Sequence, residues 1–457
     1  MLMLSVGLSG AQAPAASDAP APPDITLTLD QARALAVQAA VEGQPRAVLQ
    51  LAGGLLQADP RDSMAHFLIA GAHGMLGQPA AGRKSAARAF RYAQTRGRRF
   101  EAAELAARLS YAEKRPTLTQ LWLRRAIQSA PNDQIESQLG KDYARVRAEN
   151  PFSFSLRGGL RPSSNVNNGA DSALQIIEGV PITGILSGSA QALSGLIAHG
   201  DLSLRYRLRG DAKSLTSVAS RLYVQRVMLS QEAKDLSPTS RNRDFGYTYG
   251  EVSLDHAFAT KDDGGSARVG AAAGRLWSGG ISAYDFARLT AGRSWKLAPD
   301  VRLTFSGSVE TRHAIDPQRE DNQRFSLTGS VQHTLADGDR VQLSFNLQDV
   351  RSDFVNDRSS GATLRATYAF ARQIGPAVVT AGVTLGYQDY PSYVAFVTVP
   401  GGRQDQSIYA DVNLFFPDYD YAGFAPTLSI TTGRKSSNVS RFDTRELSIS
   451  LGIESKF

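Results

Sequence analysis

Histidine is the side chain best suited to metal or acid–base work, and the chain has six: His66, His73, His199, His256, His313 and His333. Metal sites place imidazoles a few residues apart on one helix or turn. None pair at that spacing, since His66 and His73, in a stretch of helical period, stand seven residues apart. With no Cys, disulfides, thiolate metal sites and thiol nucleophiles are removed together. No G-x-S-x-G elbow, phosphate-binding Walker loop or H-E-x-x-H helix is present. His256 and His333 fall on the outward face of alternating segments, but neither has an obvious serine partner. No enzyme activity, cofactor or metal is expected.

The charged residues offer binding rather than catalysis, in two sets. Arg83, Lys84, Arg88, Arg91, Arg96, Arg98 and Arg99 form a run of cations with no acid among them. They are a candidate docking face for an acidic partner, or else a solvated basic surface. The second set mixes signs: Arg157, Arg205, Arg207, Glu251, Asp255, Arg302, Glu310, Arg324, Arg365, Asp411 and Glu454. If these line one interior, they brace it by ion pairs or form a polar conduit. A mixed lining does not select small anions or cations strongly.

The elements that must position these sets differ along the chain. Residues 1–26 begin apolar, offer a small-x-small Ala11-Gln12-Ala13 and continue into a Pro/Ala-rich linker, as a secretory signal would, although the basic n-region is missing. Residues 27–149 have a helical period. Pro60 and Pro131 lie 71 residues apart, near two 34-residue tetratricopeptide (TPR) periods, and small residues recur between them. About three repeats of an all-α, TPR-like solenoid are expected, a fold that usually presents a concave face to a peptide or protein.

After Asn150-Pro151 the period becomes two. Val301–Glu310 alternates apolar or Gly with polar residues without a break, and so do Leu202–Arg209 and Arg340–Gln348. Fourteen such segments start near Ser153, Ala192, Leu215, Phe245, Ala267, Ala283, Val301, Asn322, Arg340, Gly361, Ala377, Gln406, Gly423 and Arg445. Their connections are long at Pro162–Gln191, Ser230–Asp244 and Tyr390–Asp405, and tight on the alternate side at Gly210–Ser214, Leu297–Asp300, Ala336–Asp339 and Gln373–Pro376. That parity divides the exterior from the periplasm in transmembrane β-barrels. Residues 150–457 are therefore expected to form a 14-stranded antiparallel transmembrane β-barrel, giving an α + β multidomain protein with the helices in the periplasm. Aromatics near segment ends suit interfacial girdles: Trp277, Trp295, Tyr368, Phe370, Tyr387, Phe258 and Phe416.

Composition agrees once it is divided. Mean hydropathy is −0.24 and the pI is near 9.5, yet residues 151–457 carry 32 Lys+Arg against 30 Asp+Glu. Near-neutrality there argues against a basic nucleic-acid groove. The last segment alternates through Leu447, Ile449, Leu451 and Ile453 to Phe457. Leu451, Ile453 and Phe457 resemble the terminal signal read by the barrel assembly machinery.

The layout resembles the surface lipoprotein assembly modifier family. Asn150-Pro151-Phe152-Ser153-Phe154 followed by Pro162-Ser163-Ser164-Asn165-Val166-Asn167-Asn168 is similar to that family's domain junction and first external loop. Tyr421-x2-Phe424-Ala425-Pro426 and Ser437-Asn438-Val439 resemble its last hairpin. The likeness covers residues 150–457 well and 27–149 by architecture only. It implies a monomeric outer-membrane translocon for specific lipoproteins, or for related haem- or iron-acquisition proteins. Implied partners are the client, outer-membrane lipid, the assembly machinery and periplasmic chaperones, with no nucleic acid. The family supplies no catalytic residues. The alternatives from the residues are a TPR-plus-barrel exopolysaccharide export porin and a nutrient porin.

Overall fold

The computed structural model describes residues 27–455 other than 182, 261–263 and 422. The signal-like segment and Phe457 lie outside the described residues. The chain divides into two compact units, Met1–Lys114 and Arg115–Phe457.

The first unit is built from α1 (Leu29–Val41), α2 (Pro45–Ala58), α3 (Ser63–Met75), α4 (Pro79–Tyr92) and α5 (Arg96–Ala112). Helices α1, α3 and α5 start on Thr28, Asp62 and Thr95, whose side-chain oxygens accept orphan N–H groups of the first turn. Both α2 and α4 start on a proline, where the missing N–H costs no hydrogen bond. The capped starts and the prolines each recur after about 34 residues, the repeat length of TPR helix pairs. Close approach rests on alanine: Ala36, Ala39, Ala52, Ala65 and Ala72 pack with Val48, Leu55 and Leu68. His66 is structural, its Nε2 lying 3.0 Å from Pro60 O and its ring stacked on Tyr92.

The second unit begins with α6 (Pro116–Gln128) and α7 (Asp133–Glu149) and continues into strands. Strand β1 (Phe152–Ser163) is followed by a long loop holding a small hairpin, β2 (Leu174–Gln175) and β3 (Gly184–Ile185). Then come β4 (Gly195–Gly210), β5 (Ser214–Leu229), the short α8 (Gln231–Leu236), β6 (Tyr247–Ala259), β7 (Ser266–Ser278) and β8 (Ile281–Lys296). The rest are β9 (Val301–Ala314), β10 (Asn322–Thr334), β11 (Arg340–Ser352), β12 (Ser359–Ala369), β13 (Val378–Tyr390), β14 (Arg403–Phe415), β15 (Phe424–Ser437) and β16 (Thr444–Ser455). Fourteen of them close an antiparallel barrel, with β1 between β16 and β4. The fourteen segments read from the sequence start within about three residues of these strands, a normal error for element boundaries.

Alternation sorts the wall into two faces. On β16, Leu447, Ile449, Leu451 and Ile453 are 68%, 51%, 64% and 48% exposed on the outer face, while Ser448 is buried on the inner one. Every register partner shares its face, so the apolar band runs round the barrel. No described helix is long and apolar enough to cross a membrane. The closed strand ring, which satisfies its own backbone, is the element that can.

The rim that α7 enters has tight turns, such as 211–213 and 297–300, and the other rim carries the loops 164–194, 230–246 and 391–402. In the first of these turns Asp211 accepts the N–H groups of Lys213 and Ser214, which hold its carboxyl below the usual range. The loop rim has one tight exception, between β7 and β8. There Gly279 and Gly280 take φ of 63° and 84°, the left-handed pair that a two-residue hairpin requires.

Candidate functional site: a braced polar lumen

Register places the mixed-sign set on the inner face. Arg157 stands opposite Glu454 on β16 and donates to it at 2.7–2.8 Å. Arg365 reaches Asp411 two strands away at 2.8 Å, and Asn413 adds a second donor. Asp255 accepts from Arg268 at 3.0 Å and from Ser253. Arg302 donates to Ser294 at 3.3 Å.

The centre of the lining is a chain of charges across β6, β8 and β9. Arg288 joins Glu251 to Glu310, at 3.1 Å from the latter, and Arg312 reaches Glu310 at 2.6 Å. Tyr249 donates to Glu251, and Arg324 is the direct β10 partner of Glu310. Glu310 is 7% exposed, so its two arginines supply the compensation a buried carboxylate needs. Arg288, Arg312 and Arg268 were not among the residues singled out from sequence. So too Arg221 with Asp201, and Arg161 with Glu446. Each carries the same inward parity as the chosen residues, and following that parity along every strand finds them all.

Two inward arginines serve other ends. Arg207 donates to the carbonyls of Ala148 and Glu149 at 3.0 and 2.9 Å, where the last turn of α7 leaves them without partners. Arg205 is exposed. The same rim holds α6 and α7 further: Gln128 donates to Asp420 in the β14–β15 turn, and Arg124 lies over the Phe154 ring at 5.9 Å. Arg124 also donates to Tyr143 on α7 at 2.7 Å.

The basic run divides into parts. Arg83 is taken by Glu113 at 2.6 Å in a mostly buried pair. Lys84, Arg88 and Arg91 are exposed along α4 at spacings that share one helix face. Arg96, Arg98 and Arg99 crowd the first turn of α5; Arg98 lies 3.9 Å from Glu101, and Arg99 donates to Ala93 O. Outward, His256 meets Thr216 and His333 meets Asp300, each at 2.9 Å. Among the described residues no group of three or more His, Cys, Asp or Glu could hold a metal.

Above the lumen the loop motifs clasp one another. Asn165 and Gly169 exchange side-chain and backbone hydrogen bonds at 2.8 Å, and Asn167 bridges Gln191 O and Leu193 N–H at the base of the first loop. The far part of that loop pairs with 438–443: Ile176 N–H donates to Ser440 Oγ, Ser440 N–H to Ile176 O, and Glu178 N–H to Asn438 O. Ile177, Tyr393, Val399 and Val439 close an apolar core beneath. Loop contacts of this kind, between residues far apart in sequence, left no periodic signal to find.

No family model matches the chain, and no curated protein matches it. Among solved structures, OprB of Pseudomonas putida is similar over 69% of this chain and 96% of its own at 10% identity, with a TM-score of 0.38. A bacterial polysaccharide outer-membrane secretin is similar over 66% and 98% at 9% identity, with a TM-score of 0.33. The first TPR domain of human RPAP3 is similar over 26% and 93% at 12% identity, with a TM-score of 0.24. What stands is the architecture: TPR-like helix pairs followed by a closed fourteen-stranded barrel of the outer-membrane kind.

Proposed function

We propose that the protein is an outer-membrane translocon that delivers specific lipoproteins, or related haem- or iron-acquisition proteins, to the cell surface or medium. The helical repeats face the periplasm and receive the client. The exposed cations Lys84, Arg88 and Arg91 on α4 suit an acidic segment of a client or of an accompanying chaperone. The observation that carries the reading is the clasp of Ile176–Glu178, in the loop that begins with the Pro162–Asn168 stretch, to Asn438–Ser440. It joins that loop to the stretch Ser437–Val439, and both stretches resemble the assembly-modifier family. It also ties the first and last loops of the rim opposite α7 to each other. A lumen cross-linked by opposite charges suits passage of polypeptide better than selection of a small ion. No nucleotide site is invoked, so client folding outside would make export irreversible.

Deleting the gene and comparing surface and secreted proteins tests this. Loss of one or a few proteins from the surface, with their accumulation inside, is the expected result. An unchanged surface proteome with lost matrix or capsule polysaccharide would overturn it in favour of an exopolysaccharide conduit. Large steady conductance in planar bilayers with no missing protein would favour a nutrient porin.

A further inference from the structure

The barrel closes unevenly. Strand β1 pairs with β4 along its whole length, from Phe152 opposite Tyr206 to Ser163 opposite Gly195. Strand β16 pairs with β15 just as fully, from Ser455 to Thr444. Between β1 and β16, however, the described residues form four pairs, from Arg157 opposite Glu454 to Leu160 opposite Leu451. Beyond Leu451 towards the loop rim, β16 continues as a strand without β1 as a partner.

The sequence supplies the cause. Continuing the register by two residues would set Pro162 opposite Ile449. The carbonyl oxygens of Gly158 and Leu451 point into the seam, 2.6 and 2.9 Å from where a Cβ on Gly452 or Gly159 would stand. Backbone direction alternates along an antiparallel ladder. Residue 162 on β1 and residues 447 and 449 on β16 are therefore the next to face across it. A proline there has no N–H to give, so the zipper stops. Further along, Arg445 lies beside the Asp171 carboxylate. On the lumen side Arg161 bridges to Glu446, and above the gap the first loop is clasped to 438–440. Leu447 and Ile449 themselves are 68% and 51% exposed on the apolar outer face. An unpaired strand edge in hydrocarbon is costly and templates the addition of another strand.

We propose that the Leu447–Ile449 edge of β16 is a strand-docking site that takes one extended segment of the polypeptide in transit by main-chain pairing. The segment's identity as a client rests on the translocon reading; the chemistry of the edge does not. What fits is a proline-free strand with apolar residues beside Leu447 and Ile449 and small polar ones beside the buried Ser448. Pairing of this kind draws affinity from the backbone and specificity from the alternation of side chains.

The chain's lack of Cys allows the edge to be probed one position at a time. The full-length protein carrying L447C or I449C, with L385C on fully paired β13 as control, is oxidised with a synthetic peptide. The peptide has the sequence of Phe152–Ser163 with a single Cys, either as P162C or as P162T with R161C. In the β1 register residue 162 faces 449, so the P162C peptide should be trapped at 449, and diagonally at 447, several-fold more than at 385. The R161C peptide should not, because it points to the other face. In the protein itself, P162T should slow amide exchange at Ile449 and reduce trapping. Equal trapping at 385 and 447, or oxidation giving a dimer of the protein in preference to the peptide adduct, would overturn the proposal. These readouts need no client. Peptide capture without an export defect in cells removes the translocon reading alone, and an export defect without capture removes the docking site alone.

Discussion

Of the inward ion pairs of the barrel, those of the β8–β11 wall and those of the β1–β16 seam differ in what they must do. Between β8 and β11 the ladders are long, from Tyr284 opposite Ala314 to Lys296 opposite Arg302 and from Asn322 opposite Ser352 to Thr334 opposite Arg340. There Glu310 is buried and compensated by two arginines. At the seam the described residues form four ladder pairs, and the two ion pairs across it are wet: the Arg157 and Glu454 side chains are 63% and 35% exposed, and those of Arg161 and Glu446 30% and 32%. The wall depends on its charges because removing one leaves the others buried. The seam uses charges as weak latches, screened by water, over a ladder that proline has cut short. One construction favours permanence and the other opening.

The largest test of that contrast is E310A. It leaves Arg288 and Arg312 without their shared carboxylate and should cost about 3 kcal/mol, the order seen when one member of a buried pair is removed. Denaturant unfolding in detergent micelles measures it. Should E310A unfold no more easily than the wild-type chain, the hub is solvated and the contrast fails. Next comes R207A, on β4 beside the seam strand β1. Freeing the carbonyls of Ala148 and Glu149 should weaken the last turn of α7 by about 1 kcal/mol. Hydrogen exchange should quicken there while the barrel's unfolding midpoint holds. A matching drop of the midpoint would mean that Arg207 braces the wall instead. Smaller again is E454A, where an exposed pair contributes under about 1 kcal/mol. Its effect should shrink further in high salt, whereas that of E310A should persist. An E454A cost equal to that of E310A would erase the distinction between latch and hub.

The sequence exposed the wall better than the seam for a physical reason. A strand buried on one face and immersed in lipid on the other must alternate, so Leu447, Ile449, Leu451 and Ile453 mark the membrane face without any knowledge of neighbours. The inward charges follow from the same parity, hubs such as Arg288 included. Whether strands pair along their full length depends on two distant segments at once. Pro162 is an ordinary loop-side proline until Ile449 is known to face it. The clasp of Ile176 to Ser440 spans most of the chain and rests on backbone groups, which every residue carries alike. In the helices, Pro60 and Pro131 suggested the period, but the stronger markers were the capped starts at Thr28, Asp62 and Thr95 and the helix-opening prolines Pro45, Pro79 and Pro116. The switch from helix to strand falls between Glu149 and Phe152, yet α6 and α7 pack with the barrel unit. Periodicity reports what a segment is and leaves open what it packs against.

The smallest effect tests whether the cover of the seam is itself adjustable. Asp171 and Asp443 sit where the first loop meets the last, with Asp171 N–H donating to Asp443 O. Burial pushes both carboxyls above their usual range; Arg445 opposes this at Asp171, and the Ser437 N–H opposes it at Asp443. The other charges facing Asp443 are Asp405 and Glu178, which add to the rise, and Lys435, which counters it. A carboxyl whose pKa is raised in the clasped state favours clasping when protonated. Below the ordinary carboxylate pKa both states hold the proton and nothing is lost. As pH climbs from there through the raised values, the clasped state alone bears the cost of a buried charge, so the clasp loosens and then levels off. Hydrogen exchange over 171–178 and 438–443, corrected for intrinsic rates, should therefore quicken from mildly acidic to neutral pH. The β8–β9 ladder should not respond. D443N should flatten the dependence, and an unchanged profile in that variant would place the titrating group elsewhere.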